Sequence, residues 1–233
     1  MSTPPGGDPV RARLERVSRA LGPLGQRVVL IGGSIAPLLH TERLVKRPRP
    51  NEDVDGVIDA ESYLAQGAWQ EALRTAGFTE AIDAGMLAHR WRTPDGDLVD
   101  LVPAGSQLGS TGQVWDVLAL RHFDVLEIAP GVFLQHVRAP VLLAMKFAAF
   151  RDRGREDPLY SADLEDILVL CRPAIVDELR ASEPVITEFV ASQAALLVTD
   201  FDIEDLAAAH LNNAYAPAEA MIIAIGRLRS IGG

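Results

Sequence analysis

A single cysteine in 233 residues excludes a disulfide within the chain. That residue, Cys171, lies in the apolar run DILVLC and is read as a buried core thiol. No apolar stretch nears the roughly 18 residues that a membrane-spanning helix requires. No charged-then-apolar leader opens the sequence either, so the expectation is no signal peptide, no membrane contact and a cytoplasmic home. Lysine is nearly missing, with two residues against 20 arginines, an imbalance that a GC-rich coding sequence accounts for. The five histidines show no metal-binding spacing, and the three tryptophans are read as core.

An excess of positive charge is missing too, since the formal net charge is −10. The deficit is local. Residues 1–155 hold 18 Lys/Arg and 18 Asp/Glu, whereas residues 156–233 hold 4 and 14. The front part therefore keeps basic clusters at Arg43, Lys46, Arg47 and Arg49, and again at Arg151, Arg153 and Arg155. The acidic last third reads as a solvated outer face.

What is present is ample apolar material: 48% hydrophobic residues suffice for a sizeable core. Residues 1–9 are Pro/Gly-rich and are read as disordered. A helix follows with the period of Val10, Leu14, Val17 and Leu21, stopped by Gly22 and Pro23. RVVLI predicts a buried strand, and DVDGVID a second one. Between them Ser34 is placed to cap a helix starting at Ile35. A helix over 61–76 is expected on the spacing of Leu64, Ala68, Ala72 and Leu73. Asp95-Gly96 and Pro130-Gly131 predict two hairpins. From Ala139 onward only helical patterns remain. The chain thus divides into a core over 10–138 and a helical region over 139–233.

In a strand, positions i and i+2 share a face, so Asp53 and Asp55 project together, about 7 Å apart along the backbone. Two carboxylates so close repel unless a cation lies between them, and oxygen-only ligands favour Mg2+ or Mn2+. Upstream, Gly32, Gly33 and Ser34 turn from a strand toward a helix, a place where free N–H groups can face a phosphate. Two-metal phosphoryl chemistry needs a third carboxylate. Asp100, central in LVDLVP, is the candidate, because Asp95 belongs to a turn and Asp97 faces the opposite way. Lys146 sits within the apolar pattern of Val141, Leu142, Met145 and Ala149, so it needs a partner; Asp163 or a triphosphate would serve. Asp166, on the same helix face as Asp163, is expected to pair with an arginine.

GGS, RPNEDVD and LVDLVP together resemble the nucleotidyltransferase fold associated with DNA polymerase β. The later LLAMKFAAFRDRGREDPLYSADLEDILVL is similar to the AbiEii/MenT-type toxins. These motifs cover residues 28–170, about 60% of the chain. The resemblance implies that Gly32, Gly33 and Ser34 bind nucleotide phosphates, and that Asp53 and Asp55 hold metal. It makes Asp100 a third ligand or a base. Lys146 would meet the triphosphate with Asp163 beside it, and Arg49 matches the arginine of an R-x-T-x-D-x-D form. Asn51 stands where that form has threonine, and SAD replaces a Lys-Asp pair.

The expected fold is α+β: a mixed sheet with flanking helices bearing the metal site, then a helical region that completes the nucleotide site. The expected activity is Mg2+- or Mn2+-dependent transfer of a nucleotide from an NTP to a hydroxyl on a tRNA 3′ end or a protein, in a toxin paired with a cognate antitoxin. Two other readings stand beside it. One is a small-molecule nucleotidyltransferase of the antibiotic-modifying kind; the other is a nucleotide- or partner-binding protein without turnover.

Overall fold

The computed structural model describes residues 9–39, 53–60, 62–82, 89–105, 113–211 and 218–233. The Pro/Gly-rich residues 1–8 and Arg43, Lys46, Arg47 and Arg49 lie outside these. The fold is α+β, and it divides into two compact units. Among the described residues, one comprises 9–35 and 53–137, the other 36–39 and 138–233.

The first unit is built on a seven-stranded mixed sheet, of order β3-β4-β5-β2-β1-β7-β6. Its strands are β1 (Val28–Ile31), β2 (Asp53–Ile58), β3 (Thr79–Glu80), β4 (Arg90–Arg92), β5 (Leu98–Pro103), β6 (Phe123–Ala129) and β7 (Val132–Val137). β1 is buried at all four positions, as its unbroken β-branched and leucine run demands of a central strand covered on both faces. It pairs antiparallel with β2 and parallel with β7. β2 in turn pairs parallel with β5. Both expected hairpins form, β4–β5 and β6–β7. Gly96 and Gly131, at φ +90° and +72°, supply the left-handed turn residues that those connections require.

Helix α1 (Pro9–Leu21) buries the stripe predicted for it: Val10, Leu14, Val17 and Leu21. α2 (Tyr63–Thr75) starts at Ser62, whose hydroxyl accepts the Ala65 N–H at 3.2 Å. Its buried face differs from the expected one. Leu64 is exposed and so is Ala68, while Trp69 and Leu73 are buried. Trp69 carries far more apolar area than Leu64, and its position about 140° round the helix sets which side faces inward. α3 (Gln113–Arg121), which the sequence reading left out, buries Trp115, Leu118 and Ala119.

The second unit holds α4 (Ala139–Ala149), α5 (Ala162–Leu170), α6 (Ile175–Arg180), α7 (Pro184–Asp200), α8 (Ile203–Leu211) and α9 (Ala218–Gly232). All eleven residues of α4 are buried, so this is a central helix without a polar side, and Lys146 is inside it. α4 runs into a π-helical stretch, Phe150–Gly154. Ser161 caps α5, its hydroxyl accepting the Leu164 N–H at 3.2 Å. Cys171 is free and 1% exposed, and burial pushes its thiol up to about 12. No helix among the described residues is long and apolar enough to cross a membrane.

Candidate active site

In the sheet unit, β2 carries Asp53 and Asp55, both half-buried and separated by the fully buried Val54. The strand alternation therefore places the two carboxylates on one face. Asp55 stands in register with Ile31 of β1 on one side and with Asp100 of β5 on the other. Asp97, by contrast, turns away to α1. It accepts two hydrogen bonds from Arg16, at 2.8 and 2.7 Å, and lies 3.4 Å from Arg13.

Gly32 follows β1 at φ +79°. A Cβ at this position would overlap Oδ2 of Asp55 and lie 2.9 Å from its Cγ. Two separate constraints thus fix glycine here, the left-handed backbone and the approach of the carboxylate. The turn over residues 32–35 closes with the Ile35 N–H donating to the Gly32 carbonyl at 3.3 Å.

The helix expected at Ile35 does not form, and the Ser34 cap with it. A four-residue 3-10 turn, Ala36–Leu39, takes its place, too short to present a helix dipole. Ser34 is nonetheless buried at 2% exposure, and among the described residues its Oγ has no hydrogen-bond partner. A buried hydroxyl left unsatisfied costs about 1–3 kcal/mol, a cost that an incoming acceptor would remove.

Arg90 on β4, absent from the sequence reading, is the cation that joins these carboxylates. Directly opposite Asp100 in the β4–β5 ladder, it donates from Nε to Oδ1 at 2.8 Å and from Nη2 to Oδ2 at 2.7 Å. The same Nη2 donates to Oδ2 of Asp53 at 2.7 Å. This is a side-on, bidentate pairing with a third bond added, the strongest form of charge-assisted hydrogen bonding available to arginine. The Asp100 bonds raise the Arg90 guanidinium further above its ordinary value; burial opposes that, and the charges of Asp100, Asp53 and Asp55 add to it. The neighbouring His89 is held below its usual value, first by burial and then by Arg90, with Asp100 opposing.

The donor chemistry at Asp53 and Asp55 suits a divalent cation: hard carboxylate oxygens, two residues apart on one strand face. The expected three-carboxylate set does not fit in the same way. Both oxygens of Asp100 accept from Arg90, and among the described residues no group of three His, Cys, Asp or Glu side chains is placed to hold a metal ion.

In the helical unit, Lys146 of α4 lies against two aspartates of α5. Its Nζ is 2.6 Å from Asp166 Oδ2 and donates to Asp163 Oδ1 at 3.2 Å. Arg153, from the π-helical stretch, donates to Asp163 through Nε at 2.8 Å and Nη2 at 3.2 Å. Lys146 thus lies against both aspartates, and Arg153 bonds Asp163 as well. Burial would raise the Asp163 carboxyl. The Arg153 hydrogen bond and the charges of Lys146 and Arg153 outweigh it and hold the group below its ordinary 3.8.

The two arginines flanking Arg153 have acidic neighbours as well. Arg151 bonds Asp152 at 2.9 Å, and Arg155 bonds Asp200 at 2.6 Å. Among the histidines, His136 is buried beside the Val137 carbonyl and His210 lies 2.8 Å from the Pro158 carbonyl. Trp69, Trp91 and Trp115 are all buried, as expected.

No protein-family model matches the chain, and no curated relative matches it. Among solved structures the chain is similar to an antigenic nucleotidyltransferase-like protein from Paracoccidioides brasiliensis. The similarity covers 79% of this chain and 93% of that one, at 16% identity and a TM-score of 0.46. At that level the likeness assigns no chemistry, which rests on this chain's own residues.

Proposed function

We propose that the chain is a divalent-cation-dependent nucleotidyltransferase that moves a nucleoside monophosphate from an NTP to an acceptor hydroxyl. The observation that carries this reading is the contact between the Gly32 turn and the paired carboxylates of β2. A backbone turn lies directly against Asp55, and it carries a buried hydroxyl with no partner among the described residues. Such a turn suits an anionic phosphate, and such carboxylates suit the cation that travels with it.

Asp53 and Asp55 are the residues that would hold Mg2+ or Mn2+, which supplies electrostatic stabilisation to the polyphosphate when bound. The chain's own residues do the rest. Ser34 Oγ donates to a phosphate oxygen, gaining the partner it lacks among the described residues. The space beside Gly32 is taken by the Asp55 carboxylate, and the resemblance gives Gly33 the place beside that phosphate. The acceptor oxygen forms its bond to the α-phosphorus as the bond to the bridging oxygen breaks, pyrophosphate leaves, and a carboxylate takes the hydroxyl proton. The acceptor is a tRNA 3′ end or a protein hydroxyl, in a toxin paired with an antitoxin.

The test is transfer from each of four NTPs labelled at the α-phosphate, with Mg2+, into total tRNA and into protein, comparing wild type with Asp53→Ala. Label that depends on Asp53 supports the reading and names both nucleotide and acceptor. Absence of label in either, together with no binding of any Mg2+–NTP, overturns it.

A further inference from the structure

The carboxylates of β2 and β5 already hold a cation of their own, the Arg90 guanidinium. Asp100 is 6% exposed, and both of its oxygens accept from Arg90. One nitrogen of the same guanidinium also takes Oδ2 of Asp53, and the Asp53 side chain is 30% exposed. The one guanidinium thus engages a carboxylate on β2 and another on β5. Arg90 has little freedom to withdraw: β4 pairs with β5 on one side and β3 on the other, and the Trp91 ring beside it is buried.

We propose that Arg90 is a resident cation of the site that competes with a divalent ion for Asp53 and keeps Asp100 out of the metal's ligand set. Asp100 is then a positioning residue: it orients Arg90, and the ion is taken by Asp53 and Asp55 alone. The arrangement has a consequence for the order of binding. A guanidinium a few ångströms from the ion site repels free Mn2+ yet attracts a polyphosphate, so the cation binds more tightly as its nucleotide complex than alone. This deepens the functional reading and rests on it for the assignment of a divalent cation to Asp53 and Asp55.

The experiment is Mn2+ titration of the whole chain without nucleotide, following the electron paramagnetic resonance signal of free Mn2+, for wild type, Arg90→Gln, Arg90→Lys, Asp100→Asn and Asp55→Asn. Removing the competing charge in Arg90→Gln should tighten Mn2+ binding by about tenfold or more. Arg90→Lys keeps the charge but loses the fork and should fall between, and it carries the test if Arg90→Gln does not fold. Asp55→Asn should abolish binding, whereas Asp100→Asn should retain a single Mn2+ within about threefold of wild-type affinity.

Arginine variants that bind Mn2+ no tighter than wild type, or an Asp100→Asn protein that loses the ion as Asp55→Asn does, would overturn the inference. So would the absence of Mn2+ binding in every variant. Failure of the functional reading looks different: a wild-type chain that binds Mn2+–NTP but transfers nothing leaves the ranking of the Arg90 variants intact.

Discussion

Gly32 and Asp55 are in such close approach that a methyl group on the glycine would occupy the carboxylate's place. The site is thereby coupled to a backbone conformation. Gly32→Ala should lose stability twice over, from positive φ and from the clash. Gly96→Ala is the control, since it shares the strained φ, +90° against +79°, but has open space around it. Gly96→Ala should cost about 1 kcal/mol and Gly32→Ala roughly 2 kcal/mol more. Urea denaturation of both variants checks this; equal losses would show that the carboxylate moves aside without strain.

Lys146 joins Asp163 and Asp166 across the α4–α5 contact, with all three side chains buried. Lys146→Ala leaves Asp166 without this cation and opens a cavity in a helix buried on every side, so a loss of about 3–5 kcal/mol is expected. Lys146→Met fills the volume and should recover part of that loss but not the charge. The thermal midpoints of the two variants measure the difference.

The Asp163 carboxyl is depressed in the folded chain, by Arg153 and Lys146 against the effect of burial. A depressed carboxyl contributes stability that is fully present above its unfolded value, near 3.8, and is lost as pH falls through the folded value. Wild type and Asp163→Asn should therefore differ most in urea midpoint at pH 5 to 7. The gap should close as pH drops below the ordinary carboxyl range. A gap that stays constant down to pH 3 would mean that the ion pairs contribute nothing.

Cys171 is fully buried, with its thiol pushed up to about 12. The thiolate is the form that attacks a disulfide reagent, so the native chain should react only as fast as it opens, and promptly in denaturant. Timing the release of the chromophore in 0 M and 6 M urea checks this.

Much of the sheet was legible in the chain because its signals are local. RVVLI and DVDGVID are β-branched runs, and Asp-Gly and Pro-Gly fix the two hairpins. The shared face of Asp53 and Asp55 follows from strand period alone. What the reading missed depends on longer-range geometry. Arg90 becomes visible only when the register is carried back through the PDGD turn, pairing Arg92 with Leu98 and Arg90 with Asp100. The buried face of α2 turned on Trp69, a single large side chain that outweighs a periodic set of small ones. Ser34 was read as a cap on local sequence, yet its hydroxyl has no hydrogen-bond partner among the described residues. The Lys146–Asp166 pair required knowing which helix packs on which.

The central claim is that this carboxylate site transfers a nucleotide, and product identity tests it most directly. NTP labelled on the α-phosphate in one reaction and on the γ-phosphate in another is incubated with Mn2+ or Mg2+ and total tRNA and protein, using wild type and Asp55→Asn. The account predicts that α-label stays on the acceptor, γ-label leaves as pyrophosphate in equal amount, and both are lost in Asp55→Asn. Transfer of the γ-label to the acceptor, or transfer that persists in Asp55→Asn, would contradict it.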